Sequence, residues 1–169
     1  MANIPTANAG FGERVAVDGD TILVGSPYVQ LDGYPYAGAV YVFRRLGNAW
    51  SLQQTLVSGD PLVSQFGYSL SLSGETAVIS AHAVNALGNS DFERPYVFVR
   101  SGTVWSEQQR LRPSDATVYD GTTNVSIAGD RIIVGAVLHE HLGHRWGGGA
   151  YVFTRNAGVW SEEQELRRR

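Results

Sequence analysis

Tyr41-Val42-Phe43, Tyr96-Val97-Phe98 and Tyr151-Val152-Phe153 are one triplet written three times at a step of 55 residues. On its C-terminal side the same step carries Trp50 to Trp105 and Trp160, Gln54 to Gln109 and Gln164, and Leu56 to Leu111 and Leu166. On its N-terminal side it carries Gly19 to Gly74 and Gly129. Three copies at constant spacing, without an internal insertion, mark a repeat architecture in which neighbouring units bury each other's faces. The copies span approximately 11–57, 66–111 and 121–167 and fill nearly all of a single region, 1–169.

Each copy holds four short strand-like runs, named a to d. In copy one, strand a is Arg14-Val15-Ala16-Val17, and Asp18-Gly19-Asp20 reads as a hairpin turn. Strand b is Thr21-Ile22-Leu23-Val24-Gly25 and strand c is Ala39-Val40-Tyr41-Val42-Phe43. Both are apolar on two faces, as central strands between stacked sheets must be. A tight turn at Gly47-Asn48 leads to strand d, Trp50 to Leu56. Strict alternation places Trp50, Gln54 and Leu56 on one face of strand d and Ser51, Gln53 and Thr55 on the other. On that reading Trp50, Trp105 and Trp160 cap the outer core of each unit. Gln54, Gln109 and Gln164 then supply a buried hydrogen bond that holds the unit together. A four-stranded antiparallel unit repeated in this way is a β-propeller blade. The expectation is therefore an all-β chain of three blades, with about twelve strands and no helix.

Composition narrows the function. The formal net charge of −3 and pI near 5.8 exclude a nucleic-acid or anionic-membrane surface. The absence of cysteine excludes disulfides, thiolate metal sites and a cysteine nucleophile. The first ten residues lack the basic start and apolar core of a signal peptide, and no run approaches the ~18 apolar residues of a membrane span.

Phe11-Gly12 and Phe66-Gly67 stand just ahead of strand a, Val24-Gly25-Ser26-Pro27 closes strand b, and Gly38-Ala39 introduces Val40-Tyr41-Val42-Phe43. Together these resemble the FG-GAP repeat of integrin α-subunits and of many bacterial surface proteins, with the bacterial type the nearer. The resemblance implies a non-catalytic propeller scaffold for protein–protein interaction or adhesion, extracellular or at a cell surface, without a cofactor. The alternative it implies is a lectin-like carbohydrate-binding propeller. Copies two and three depart from the pattern. Gly121-Thr122 stands for Phe-Gly, Ser80-Ala81-His82 and Gly135-Ala136-Val137 for the Gly-Ala-Pro element, and Arg94-Pro95 for Gly-Ala. Three blades do not complete a ring of the usual ~4–8. Two chains pairing into a six-bladed ring, or a place within a longer propeller, would cover the apolar end faces.

Two groups of residues carry candidate chemistry. His139, His141 and His144 cluster in the b–c loop of copy three and are weak metal candidates, because they lack the helical spacing of a zinc motif. An enzyme built on them is the weakest hypothesis. The second group follows from topology. In a meander the b–c and d–a connections share one end of every blade, opposite the tight a–b and c–d turns. Recognition belongs on that long-loop face, with Tyr34, Tyr36 and Trp146 as the expected contacts. Family members often bind calcium between strands a and b, through a long acidic loop. The turns Asp18-Gly19-Asp20, Ser73-Gly74-Glu75 and Ala128-Gly129-Asp130 are too short to gather six to eight oxygens. A chelator is expected to leave the melting temperature unchanged; a large drop, followed by calorimetry, contradicts this.

Overall fold

The computed structural model describes residues 9–60, 62–84, 90–91, 95–115, 122–137 and 147–167. Within them the chain is all-β and contains no helix, hence none long and apolar enough to cross a membrane. Blade one is the antiparallel meander β1 (Arg14–Asp18), β2 (Thr21–Ser26), β3 (Ala39–Leu46) and β4 (Ala49–Leu56). Blade two is β5 (Val63–Ser73), β6 (Thr76–Val84), β8 (Tyr96–Ser101) and β9 (Val104–Arg110). The two-residue β7 (Ser90–Asp91) adds to β6. Blade three is β10 (Thr122–Ala128), β11 (Arg131–Ala136), β12 (Gly149–Asn156) and β13 (Val159–Leu166). The three blades do not close a ring. Thirteen strands thus stand where twelve were expected, because the b–c loop of copy two contributes β7.

The core lies between blades. Leu23, Val40, Val42 and Leu56 of blade one pack with Phe66, Tyr96, Phe98 and Trp105 of blade two. Val78, Val97 and Leu111 of blade two pack with Tyr151, Phe153 and Trp160 of blade three. Each blade therefore has a trailing face, of aliphatic residues, and a leading face, of aromatics. The leading face of one blade rests on the trailing face of the blade before it.

Strand d does not alternate as expected. Val42 pairs with Gln54 but Phe43 pairs with Leu52, so Gln53 is an extra residue in a β-bulge. Blades two and three break register at the equivalent place. Because side chains alternate with a period of two, one inserted residue swaps the faces beyond it. Trp50 accordingly lies on the leading face, and Gln54 and Leu56 on the trailing one. This corrects the reading that tryptophan and glutamine share a face and brace a single blade. The glutamine instead holds the tryptophan of the next blade. Gln54 Nε2 donates to the Trp105 carbonyl at 2.9 Å while Gln54 Oε1 accepts from the Trp105 amide at 2.8 Å. Gln109 treats Trp160 the same way, at 2.7 and 3.0 Å. The bulged Gln53 and Gln108 each accept the indole N–H of the same tryptophan, at 3.4 and 3.2 Å. Trp105 and Trp160 are each 2% exposed. Trp50, on the open leading face of blade one, is 41% exposed, so it does not cap a core within the chain.

The inner strands face a further problem, since each is a sheet edge with unpaired amides. Between blades two and three, Ser69, Ser71 and Ser73 answer it. Their hydroxyls accept from the amides of Val125, Ile127 and Gly129 at 3.2, 3.1 and 3.1 Å. Between blades one and two the Asp18 carboxylate accepts from the Gly74 amide at 2.6 Å, and the Phe-Gly segment does the rest. Gln65 N–H donates to the Tyr36 carbonyl and Phe66 N–H to that of Ala37, at 2.6 and 3.1 Å. A Cβ on Gly38 would lie 2.2 Å from the Phe66 nitrogen, and one on Gly25 would lie 2.7 Å from the Gly67 carbonyl. Only glycine admits so close a backbone.

Each tight turn also carries a repeated unit of carboxylate, arginine and tryptophan. Arg45 donates to Asp20 and Arg155 to Asp130, both at 2.7 Å, and Arg100 to Glu75. The three guanidinium groups lie over Trp50, Trp105 and Trp160, at 5.9, 5.7 and 5.0 Å from the ring centroids. Of the turn acids that a calcium loop would use, Asp20, Glu75 and Asp130 are thus engaged by arginine and Asp18 by the Gly74 amide. Glu75 is held below the usual carboxylate range, first by its hydrogen bond to Arg100.

Two expectations follow for stability. Trp105→Ala should cost about 3–5 kcal/mol, as a buried aromatic does, while Ser106→Ala, on the exposed side of strand d, should cost less than ~0.5 kcal/mol. Chemical denaturation measures both, and equal costs would contradict the assigned faces. The Glu75 contribution is present above the unfolded-state pKa and is lost as pH falls through the lower folded value. Being a surface ion pair it is worth under ~1 kcal/mol. Glu75→Gln should lower the melting temperature slightly at neutral pH and reduce its decline in acid.

Candidate functional site

The long-loop end of blades one and two forms a cleft of about 400 Å3 between the b–c loop of blade one and the d–a connection that follows it. Leu31, Val57 and Val63 give it apolar walls, and Asp32, Tyr34 and Asp60 bring polar groups. The local sequence explains its shape. Leu31 and Tyr34 exchange both backbone hydrogen bonds, at 3.2 and 2.8 Å, across Asp32-Gly33. Both turn residues have positive φ, 49° and 85°, the two-residue type I′ geometry for which Asp-Gly is suited. Alternation of long strands does not reveal this small hairpin, although the Asp32-Gly33 dipeptide is its direct signal.

Tyr34 leaves this turn 52% exposed and Tyr36 is 58% exposed. Neither backbone is loose. Tyr36 has φ of 58°, its carbonyl is fixed by Gln65, and its ring meets the edge of Tyr28 at 6.4 Å. The structure therefore brings Tyr34 and Tyr36 to one rim, on the end of the blades where the connections are long. Trp146 lies outside the described residues, as do His139, His141 and His144. Among the described residues no group of three or more His, Asp or Glu could hold a metal ion.

The two carboxylates of the cleft differ. Asp60 accepts from Arg110 at 3.1 Å and from the Leu62 amide at 3.0 Å, sharing that guanidinium with Glu107. Arg110 is itself held protonated, chiefly by its hydrogen bond to Glu107. Asp32 has no such side-chain partner among the described residues. The cleft consequently presents acidic groups beside an exposed phenol and an aliphatic wall. Such a surface can receive a cationic side chain with an apolar stem, or a polyhydroxylated ring.

A wider groove of about 810 Å3 opens at the opposite end, where Arg44, Glu75 and Arg100 meet the c–d turn of blade two. Its Glu75 and Arg100 are committed to each other and to Trp105, which makes that groove part of the scaffold. The six structural positions divide in the same way. Trp105 and Trp160 are buried and their clamps Gln54 and Gln109 half-buried, whereas Trp50 and Gln164 are exposed on the two open end faces. The missed members of the repeated framework are Arg45, Arg100 and Arg155 with Asp20, Glu75 and Asp130. Their signal is the same 55-residue step, read on charged residues instead of apolar ones.

No curated protein matches the chain. The family described as FG-GAP repeat matches it in three consecutive segments, residues 2–43, 50–98 and 105–153. Together these segments cover most of the chain and reach every blade, leaving β13 outside the match. The chain belongs to the FG-GAP repeat family.

Proposed function

We propose that this chain is a non-catalytic propeller scaffold that binds a protein partner through its long-loop face, with Tyr34 and Tyr36 as the anchoring contacts and Trp146 as a further contact. The observation that carries this reading is the pairing of large exposure with a fixed backbone at Tyr34 and Tyr36. Rigid, amphipathic aromatics supply contact area at little entropic cost and are enriched among binding hot spots. Asp32 adds a charge suited to a basic side chain of the partner. A lectin-like function is the second reading, favoured by Tyr34 and Asp32 in one cleft, since a sugar offers an apolar face to an aromatic ring and hydroxyls to a carboxylate.

A glycan array probed with the wild-type chain and with Tyr34→Ala separates the two. Sugar signals abolished by Tyr34→Ala support the lectin. No sugar signal, with a co-purifying protein partner released by both Tyr34→Ala and Tyr36→Ala, supports the interaction scaffold. Hot-spot loss should weaken binding about thirtyfold or more, and the melting temperature should stay constant because both rings are exposed. Binding that maps to the turns around Gly19, Gly74 and Gly129 would overturn the assignment of the face.

A further inference from the structure

The two open end faces carry the two halves of a joint that the chain already makes internally. At the joint of blades one and two, Phe66-Gly67 enters against Gly25 and Gly38. One step of 55 residues later Ser80 and Glu93 replace those glycines, and the entering pair is replaced as well, by Gly121-Thr122. The next joint is instead bridged by the hydroxyls of Ser69, Ser71 and Ser73. The receiving glycines and the entering Phe-Gly are therefore present together or absent together.

The trailing face of blade three returns to the glycine type. Gly135 and Gly148 stand at the steps of Gly25 and Gly38, and Gly148 shares the left-handed conformation of Gly38, with φ of 69° against 80°. Its inner strand keeps only Ser126 of the three serines. The matching pair is at the other end of the chain. Gly10-Phe11-Gly12 has the backbone of Gln65-Phe66-Gly67, with φ of 69° and 90° at the glycines against 53° and 94°. Phe11 meets Tyr41 edge-on at 5.4 Å just as Phe66 meets Tyr96 at 5.4 Å. Yet Phe11 is 49% exposed where Phe66 is buried, and no atom approaches a Cβ placed on Gly12. Exposed Trp50 and exposed Gln164 are the two halves of the clamp.

We infer that a second copy of this chain docks head to tail. Phe11-Gly12 and Trp50 of one copy enter against Gly135, Gly148 and Gln164 of the other, and two such joints close a six-bladed ring. A head-to-tail contact yields a closed assembly when the rotation per unit completes the circle. Six is the one multiple of three within the usual ~4–8 blades. This joint involves the end faces alone and leaves the long-loop cleft free.

Light scattering on the purified chain, through the micromolar range, tests it. The expected mass is about twice the 18.3 kDa of one chain. Gly135→Leu should give a folded single chain, because among the described residues a Cβ there makes only ordinary contacts, with the Asn124 carbonyl at 3.7 Å and its Cβ at 3.9 Å, yet would collide with an entering Gly12. If that variant fails to fold by circular dichroism, Gln164→Ala, which alters an exposed side chain, should raise the dimer dissociation constant at least tenfold. A wild-type mass of one chain throughout, as expected if the end faces are covered by blades of another polypeptide, overturns the proposal. So does growth beyond two copies, or a dimer indifferent to Gln164→Ala.

Discussion

Backbone meets backbone where blade two enters blade one, and the rest of the molecule is arranged around that contact. A Cβ at Gly38 would lie within bonding distance of no legitimate neighbour, 2.2 and 2.4 Å from the Phe66 nitrogen and carbonyl oxygen. The glycines at 25, 38 and 67 are thus steric requirements of stacking two sheets, beyond any turn they make. The approach delivers the fully buried Phe66 ring onto Tyr96 and Phe98, at 5.4 and 6.0 Å. Those rings in turn rest on Leu23, Val40, Val42 and Leu56. Removing the close approach would separate the faces that form the core, because almost all of the large buried side chains lie between blades and few lie within one.

The outer half of each joint is held by polar groups. The paired residues Gln53-Gln54 and Gln108-Gln109 bind both the indole and the peptide of the following tryptophan. A buried tryptophan backbone in mid-joint would otherwise lose its hydrogen bonds, and an unmet buried polar group costs about 1–3 kcal/mol. The arginine laid over each tryptophan extends the same ring toward the turn and meets the turn carboxylate there. Core, clamp and turn are in this way one continuous structure in each repeat, and the tight-turn end has little left with which to recognise a ligand.

The 55-residue step made the fold legible, because a repeat that buries neighbour against neighbour must recur in sequence as it does in space. Strands b and c were equally plain from their two apolar faces. The partner of each glutamine was not. A period of two places Trp50 and Gln54 together, and an inserted residue such as Gln53 leaves no mark on composition or spacing. The bulge appears only in the pairing of Val42 with Gln54 and Phe43 with Leu52. The arginine framework was legible in principle, at residues 45, 100 and 155, but a turn acid suggests an ion before it suggests a distant guanidinium. Of the site, topology gave the end of the blades at which Tyr34 and Tyr36 stand. What it lacked was the Asp32-Gly33 turn that fixes Tyr34 beside a cleft.

Tyr36 links these two levels. Its side chain is on the exposed rim, while its carbonyl receives Gln65 N–H at the start of the blade joint. The geometry of the b–c loop of blade one is thus set by the entering segment of the next blade. By the repeat, Trp146-Gly147-Gly148 corresponds to Tyr36-Ala37-Gly38. An aromatic at this position recurs only in the two copies that keep the receiving glycine, for copy two has Asp91 before Glu93. Aromatic rim and glycine receptor therefore travel together. A ring closed by such joints would present two Tyr36 rims, each braced by the backbone contact that Tyr36 makes with Gln65.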